Sequence, residues 1–510
     1  MSSNNFIAAA ALVSLLLLPA TGKAQNERED YGAWKKRQQE SYGNYKRQQQ
    51  DDYANFRRKA NEEYAEFVRR HWGELTALKG IEPPHHEPVP PVIVPEEDKD
   101  KKCEDDENTF EDVVVVEPPS PQPQPIEPVT PIDPILQNPL TVSTIFFGTR
   151  MECEISSIPA FELADLGNDA IGDAWKSISN GQCDRLLEQC LEMRETYRLN
   201  DWGYIQLLDS LTQRIMLPTG HIRSLDEATL LMAWLYCQSG YKMRLARAKG
   251  RLYMLFASEN IIYNVNYFSI GGDRYYPYKG EKLETMYVCD VSFPQEQSMT
   301  LKIVSEPRLT NKSSGSRTLQ SKRYPHIKVT TTVNHNLIDF YNNYPTGSIT
   351  DDFGTRWAMY ANAPLSEKAK QTLYPQLNSL LAGKSKLDAA EELLNWVQTS
   401  LVYEYDDTIW GYDRAFFAEE TLFYPYADCE DRSILFANLV RDLLGLDVVL
   451  LYYPGHLATA VRFEGKQPKG DYLEISNGRY YVADPTYIGA PIGLTMPDLK
   501  GESIKVIILQ

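Results

Sequence analysis

The stretch EATLLMAWL at 227–235 returns as DRSILFANL at 431–439, 204 residues later. FGTR occurs at 147–150 and again at 353–356, an offset of 206. Gly240, Gly250 and the trio Arg274, Tyr275 and Tyr276 match Gly445, Gly455 and Arg479, Tyr480 and Tyr481 at an offset of 205. One such match is weak, but four colinear ones at nearly one spacing argue that a single unit is built twice. The copies are expected over about 140–297 and 336–510. Each reads as a helix (about 200–216, and 386–401), a loop, a second apolar helix, and then strands. In the second copy the strands are DVVLLYYP, HLATAVRF, DYLEIS and RYYVADPTY. Helices followed by mostly antiparallel strands predict an α+β fold. Between the copies, over 298–335, MTLKIVSEPRL and YPHIKVTTTV read as strands of a bridging β element.

The region before the first copy has three parts. Residues 1–24 read as a signal peptide, with an apolar stretch from Phe6 to Leu18 and a small-residue exit at Ala24. The chain is therefore expected to be secreted or periplasmic, with no transmembrane segment once the signal is removed. Residues 25–80 carry Tyr31, Tyr42, Tyr53 and Tyr64 at eleven-residue intervals, each followed three positions later by Trp34, Tyr45, Phe56 or Phe67. Eleven residues make almost three whole helical turns, so the aromatics form one stripe along a long amphipathic helix. Such a stripe needs a partner, either a second copy in a coiled coil of slight right-handed twist, which is the favoured one, or the body of this chain. Residues 81–139 are rich in proline and acids and read as an extended linker. Within it PVIVP and DVVVVE are candidates for short strands.

The chain holds 70 acidic against 52 basic residues, a formal charge of −18, which argues against nucleic acid as a partner because phosphate binding needs clustered Lys and Arg. The spacings of the seven cysteines are not those of a zinc site. His85 and His86 read as solvated residues of the linker, and no motif calls for a cofactor or a metal. Six of the cysteines are expected to be buried or in disulfides.

Cys429 differs from them by its setting. It lies in YPYADCEDRS, just before the apolar run ILFANLVRDLLGL, with Asp428, Glu430 and Asp431 around it. A thiol attacks as thiolate, and the start of a helix, expected near Ser433, favours that charge while the carboxylates oppose it. His456, in YPGHLATAVRF, opens an alternating strand and is the candidate base. Asp484, at the end of YYVADPTY, is placed to orient the imidazole. Cysteine, histidine and aspartate in that order supply nucleophile, base and orienter.

Over about 385–490 these residues resemble the transglutaminase-like group of the papain-like cysteine acyltransferase and protease superfamily. The resemblance rests on the helix AAEELLNWVQTSLVYEYDD, the DCEDRS turn, the His456 strand and the ADPTY turn. It implies two tandem transglutaminase-like domains, the first degenerate. It also implies Cys429 as nucleophile, His456 as general base and acid, and Asp484 as orienter. The expected activity is acyl transfer from peptide or protein amides, with hydrolysis favoured over crosslinking. The Cys429 backbone N–H is one expected oxyanion donor.

At the repeat offsets Cys429 corresponds to Leu225, His456 to Arg251 and Asp484 to Lys279. The first copy thus lacks all three reactive groups. It is expected to be scaffold or interface, with ligand binding at Arg251 and Lys279 as the sharper alternative. The rival reading of the whole chain is a non-catalytic surface or assembly protein that uses both copies as binding modules.

Overall fold

The computed structural model describes residues 48, 52–72, 77–83, 101–103, 110, 113–118 and 139–510, apart from 281, 476 and 477. The chain divides into two units at Arg57. Of the first, residues 48 and 52–56 are described and are helical. The expected signal peptide and the first two aromatic repeats lie outside the described residues.

The second unit, from Arg57 onward, mixes helices and sheets, an α+β fold. Two sheets of six strands each dominate it. In the first the order is Leu78–Lys79, Thr285–Cys289, Met243–Ala248, Arg251–Ala257, Asp273–Pro277, Phe268–Ile270. In the second it is Val113–Val116, Ile504–Ile508, Val448–Tyr453, His456–Arg462, Gly478–Ala483, Tyr472–Ile475. Position by position the two orders are the same. The central strands start at 243, 251 and 273 in one copy and at 448, 456 and 478 in the other, a constant 205 later.

Local chemistry explains why the spacing is kept. Gly240 and Gly445 both follow a helix with positive φ, 89° and 58°, where a residue without Cβ costs least. Gly250 and Gly455, φ 71° and 79°, close the tight turns between the first two strands of each copy. The two apolar helices match as well, Ser224–Gln238 against Cys429–Leu439. FGTR does not match. At 147–150 it is the turn of the hairpin Leu140–Phe146 and Thr149–Ile155, with Phe147 and Gly148 both at positive φ. At 353–356 it is a 3₁₀ turn running into the helix Arg356–Ala361.

Both sheets take an edge strand from before the first copy: Leu78–Lys79 from the end of the stretch expected to be helix, and Val113–Val116 from the acidic linker. Leu78–Lys79 pairs antiparallel with Thr285 and Met286, and Val113–Val116 pairs parallel with Ile504–Ile507. The four valines of DVVVVE are therefore a strand. PVIVP lies outside the described residues.

The bridging region also differs from expectation in part. YPHIKVTTTV supplies the strand Lys328–Thr331, which pairs with Arg317–Gln320. MTLKIVSEPRL forms an isolated bridge, Met299 with Ser258, but no ladder, because side chains take the next backbone donors: Asp201 accepts from the Thr300 N–H at 2.9 Å and Asn260 from the Leu301 N–H at 2.7 Å. Its Met299, Leu301 and Ile303 enter the core instead.

Residues 57–71 are helical and lie on this unit's own body. Tyr64, Val68 and Trp72 are buried, and the Tyr64 ring centroid is 4.3 Å from that of Trp175. The last aromatic repeat has thus found its partner within the chain rather than in a second copy. One apolar core runs without a break through residues of both repeats. Cys153, Cys183, Cys190, Cys237, Cys289 and Cys429 are buried free thiols, not disulfides.

Candidate functional site

The helix carrying Cys429 begins at Cys429 itself, four residues before the expected start. The cause is Asp428, which sits at the N-cap and accepts from the Glu430 N–H at 3.1 Å and the Asp431 N–H at 3.4 Å. Asp431 completes a reciprocal cap by accepting from the Asp428 N–H at 3.3 Å, and it also accepts from the Phe416 N–H at 2.9 Å. Two of the three carboxylates around the thiol are thus helix-capping groups. The third, Glu430, lies with one oxygen 3.9 Å from the Cys429 sulfur and the other 3.0 Å from Arg356.

His456 is placed by the turn before it. Pro454 and Gly455 link Tyr453 to His456, a Pro-Gly pair suited to a turn that needs a fixed φ followed by a positive one. His456 therefore opens its strand. Its Nε2 is 2.9 Å from Asp484 Oδ2, and both residues are buried. The other Asp484 oxygen accepts from the backbone N–H groups of Thr486, at 2.8 Å, and Tyr487, at 3.2 Å. The aspartate is so held by its own turn. Gln398, on the long helix Lys386–Ser400, ties that turn down by donating to the carbonyls of Asp484, Tyr487 and Ala490 and accepting from the Gly489 N–H.

The cysteine helix and the histidine strand are joined directly. Ser433 donates its hydroxyl to the Leu457 carbonyl at 2.9 Å, and the Leu457 N–H points at the Cys429 sulfur. Cys429 thus lies against Leu457, the residue next to His456, and no hydrogen bond joins its sulfur to His456 Nδ1. His456 Nδ1, in contrast to Nε2, is buried with no hydrogen-bond partner. If Nε2 donates to Asp484, Nδ1 carries the free lone pair.

The electrostatics decide between the helix start and the carboxylates. The helix start does not dominate at Cys429: burial pushes the thiol well above its usual range, and Asp428 and Glu430 push the same way. Only the Leu457 N–H pulls against them among the backbone contacts named. The thiol is neutral at rest. Around it, burial and mutual repulsion also raise the carboxyls of Asp428, Glu430 and Asp431 well above their ordinary values. Asp406 is pushed up to about 8, by burial first and by Glu430 second. Arg356, wholly buried, pairs with both Glu430 and Asp413 and limits the repulsion. Asp406, Asp413 and Glu430 place three oxygens within 4.8 Å of one another.

Several of these groups escaped sequence reasoning. Arg432 is buried and spends its guanidinium on the carbonyls of Ala427, Gln398 and Leu401, which fixes the nucleophile turn to the neighbouring helix. Burial lowers it to about 10. It lies within DCEDRS and could have been flagged as a charge inside an apolar helix. Tyr403 was not legible at all. Its hydroxyl is buried without a partner, and burial and then Cys429 raise its pKa.

Compared with models of known families, with curated proteins and with solved structures, the chain matches none.

Proposed function

We propose that Cys429, His456 and Asp484 form a cysteine acyl-transfer centre of the transglutaminase-like kind, in the second of two tandem domains of that class, and that it hydrolyses peptide or protein amides. The observation that carries the reading is the two-faced histidine, with Nε2 on Asp484 and a buried, unpartnered Nδ1, next to a residue whose N–H meets the Cys429 sulfur. His456 takes the thiol proton at Nδ1 as the sulfur attacks the amide carbonyl. Asp484 stabilises the imidazolium that results. The C–N bond breaks as His456 returns the proton to the leaving amine, leaving a thioester on Cys429. Water then attacks the thioester, His456 again accepting a proton, to release a carboxylic acid and restore the thiol. The Cys429 backbone N–H and the Tyr403 hydroxyl are the donors suited to the oxyanion. The resting thiol is neutral, so the proton moves during attack rather than before it. A signal-like N-terminus supports an exported enzyme.

The non-catalytic reading draws on a different observation, the 3% exposure of Cys429. A peptidyl acyloxymethyl ketone separates the two. On the acyl-transfer reading, mass mapping finds the label on Cys429 in the full chain, and His456→Ala largely removes it. Labelling of Cys429 that is unchanged in His456→Ala, or no labelling of it under native conditions, would favour a structural cysteine.

A further inference from the structure

The same place in the two copies carries different chemistry. In the second copy Cys429 opens a helix, His456 opens a strand and Asp484 follows the strand Gly478–Ala483. In the first, Leu225 is the second residue of the helix Ser224–Gln238, Arg251 opens the strand Arg251–Ala257, and Lys279 lies two residues past the strand Asp273–Pro277. Although 54 residues separate Leu225 from Lys279, these three side chains line one cavity of about 250 Å³. Losing the reactive groups has not filled the space between them.

The cavity is lined by an apolar set of residues and a charged set. Leu225, Ala228, Met232 and Met254 make the first, and Arg251 and Lys279 contribute to the second. Lys279 is bound to Asp209, which also accepts from Gln213 at 2.6 Å, so that pair is neutral and satisfied. Arg251 is not satisfied in the same way. Its Nε donates to Asp226 Oδ1 at 2.8 Å. Asp226 in turn accepts from the Leu252 N–H at 3.0 Å and lies 3.5 Å from Arg223. Two guanidinium groups thus share one carboxylate, which leaves a net positive charge. The terminal nitrogens of Arg251 have no partner among the described residues, and its side chain is 44% exposed. A guanidinium with free terminal nitrogens in a cavity that also has apolar walls is suited to a carboxylate.

We propose that this cavity is a binding site for a carboxylate borne on a small apolar group, the group lying against Met232 and Met254 and the carboxylate on the terminal nitrogens of Arg251. The volume is just below the range of about 300–1,000 Å³ typical of drug-sized ligands, so the occupant is the size of one amino-acid residue rather than a long chain. The carboxyl-terminal residue of a peptide and a free or N-acylated amino acid share this chemistry. The site does not depend on Cys429 being reactive.

Methionine-methyl NMR on the full chain tests it, with the Met232 and Met254 signals assigned from Met232→Leu and Met254→Leu. N-acetyl-leucine and acetyl-Ala-Ala-Leu are titrated as carboxylates, and N-acetyl-leucinamide as the neutral control. Both signals should move with the carboxylates. The amide should bind about tenfold more weakly or worse, because it lacks the charge-assisted bond to Arg251. Arg251→Gln should lose the preference for carboxylate, while Cys429→Ala should keep it. A tighter site for the tripeptide than for the amino acid would identify a peptide end as the source, and the reverse a free amino acid. Met232 and Met254 signals unmoved at millimolar ligand would overturn the proposal, as would equal binding of the carboxylate and the amide to the unaltered protein. The amide comparison needs no variant, so it holds even if Arg251→Gln fails to fold.

Discussion

At the scale of residues, the roles proposed for Cys429, His456 and Asp484 differ enough to be graded. Cys429→Ala should abolish turnover of a fluorescent casein while leaving the melting temperature nearly unchanged, because one sulfur atom is lost. His456→Ala should be almost as severe. Asp484→Asn should lower kcat by on the order of 10³ to 10⁴, since the amide can hold the imidazole in the wrong tautomer and cannot stabilise its cation. Equal rates in Cys429→Ala and the unaltered protein would rule out the thiol. Asp406 makes a second prediction, about pH. Its carboxyl is raised to about 8 in the fold from an ordinary value near 3.8, by burial and then Glu430. The folded chain therefore keeps a proton that the unfolded chain gives up. The stabilisation is fully present below pH about 4, fades as the pH rises toward 8, and does not change further above it. Asp406→Asn is always neutral and can still accept from the Arg414 N–H. Its melting temperature, relative to the unaltered protein, should be similar at about pH 3.5 and increasingly higher toward pH 8. A pH-independent difference would show that Asp406 is ionised in the fold.

At the scale of elements, Tyr64 links the aromatic helix to the body. It is 2% exposed against Trp175, so Tyr64→Ala should cost about 3–5 kcal/mol, measured by urea unfolding, as for other buried aromatic side chains. A loss below about 1 kcal/mol would mean that the helix rests on the surface without being needed there. Tyr53 and Phe56, in the unit before Arg57, leave the earlier repeats as the place to look for self-association. How much of this was legible in the sequence depended on whether the signal was local. Glycines at fixed offsets, alternating strands and the apolar helices were local signals, and the two helices and the central strands of each sheet follow from them. FGTR misled because four residues can be a hairpin turn or a helix start, depending on what surrounds them. MTLKIVSEPRL misled for a complementary reason: its pattern is that of a strand, but Asp201 and Asn260, distant in sequence, take the donors a ladder would use. The contact of His456 with Asp484 was legible from order and spacing. Tyr403, Arg356 and the height of the Cys429 pKa were not, since burial is a property of the packed molecule.

At the scale of the whole molecule, the two copies are not independent bodies. One large core takes buried residues from both, and a two-stranded sheet joins Ile261–Ile262 of the first to Gly347–Ser348 of the second. Heating should therefore give a single calorimetric transition for the unit from Arg57 onward, and a fragment of residues 336–510 should be insoluble alone. Two resolved transitions, or a soluble, folded fragment, would show separable domains. The second sheet also has a consequence for the order of events as the chain is made. Val113 pairs with Ile504, 391 residues further on, so four consecutive valines leave the ribosome long before their partner exists. Until then they are an unsatisfied β-strand of high aggregation tendency. Glu111 and Asp112 before them and Glu117 after them supply the negative charge that discourages pairing with other nascent chains. Closure of that sheet is accordingly a late step with a high contact order, and the acidic flanks guard the interval before it.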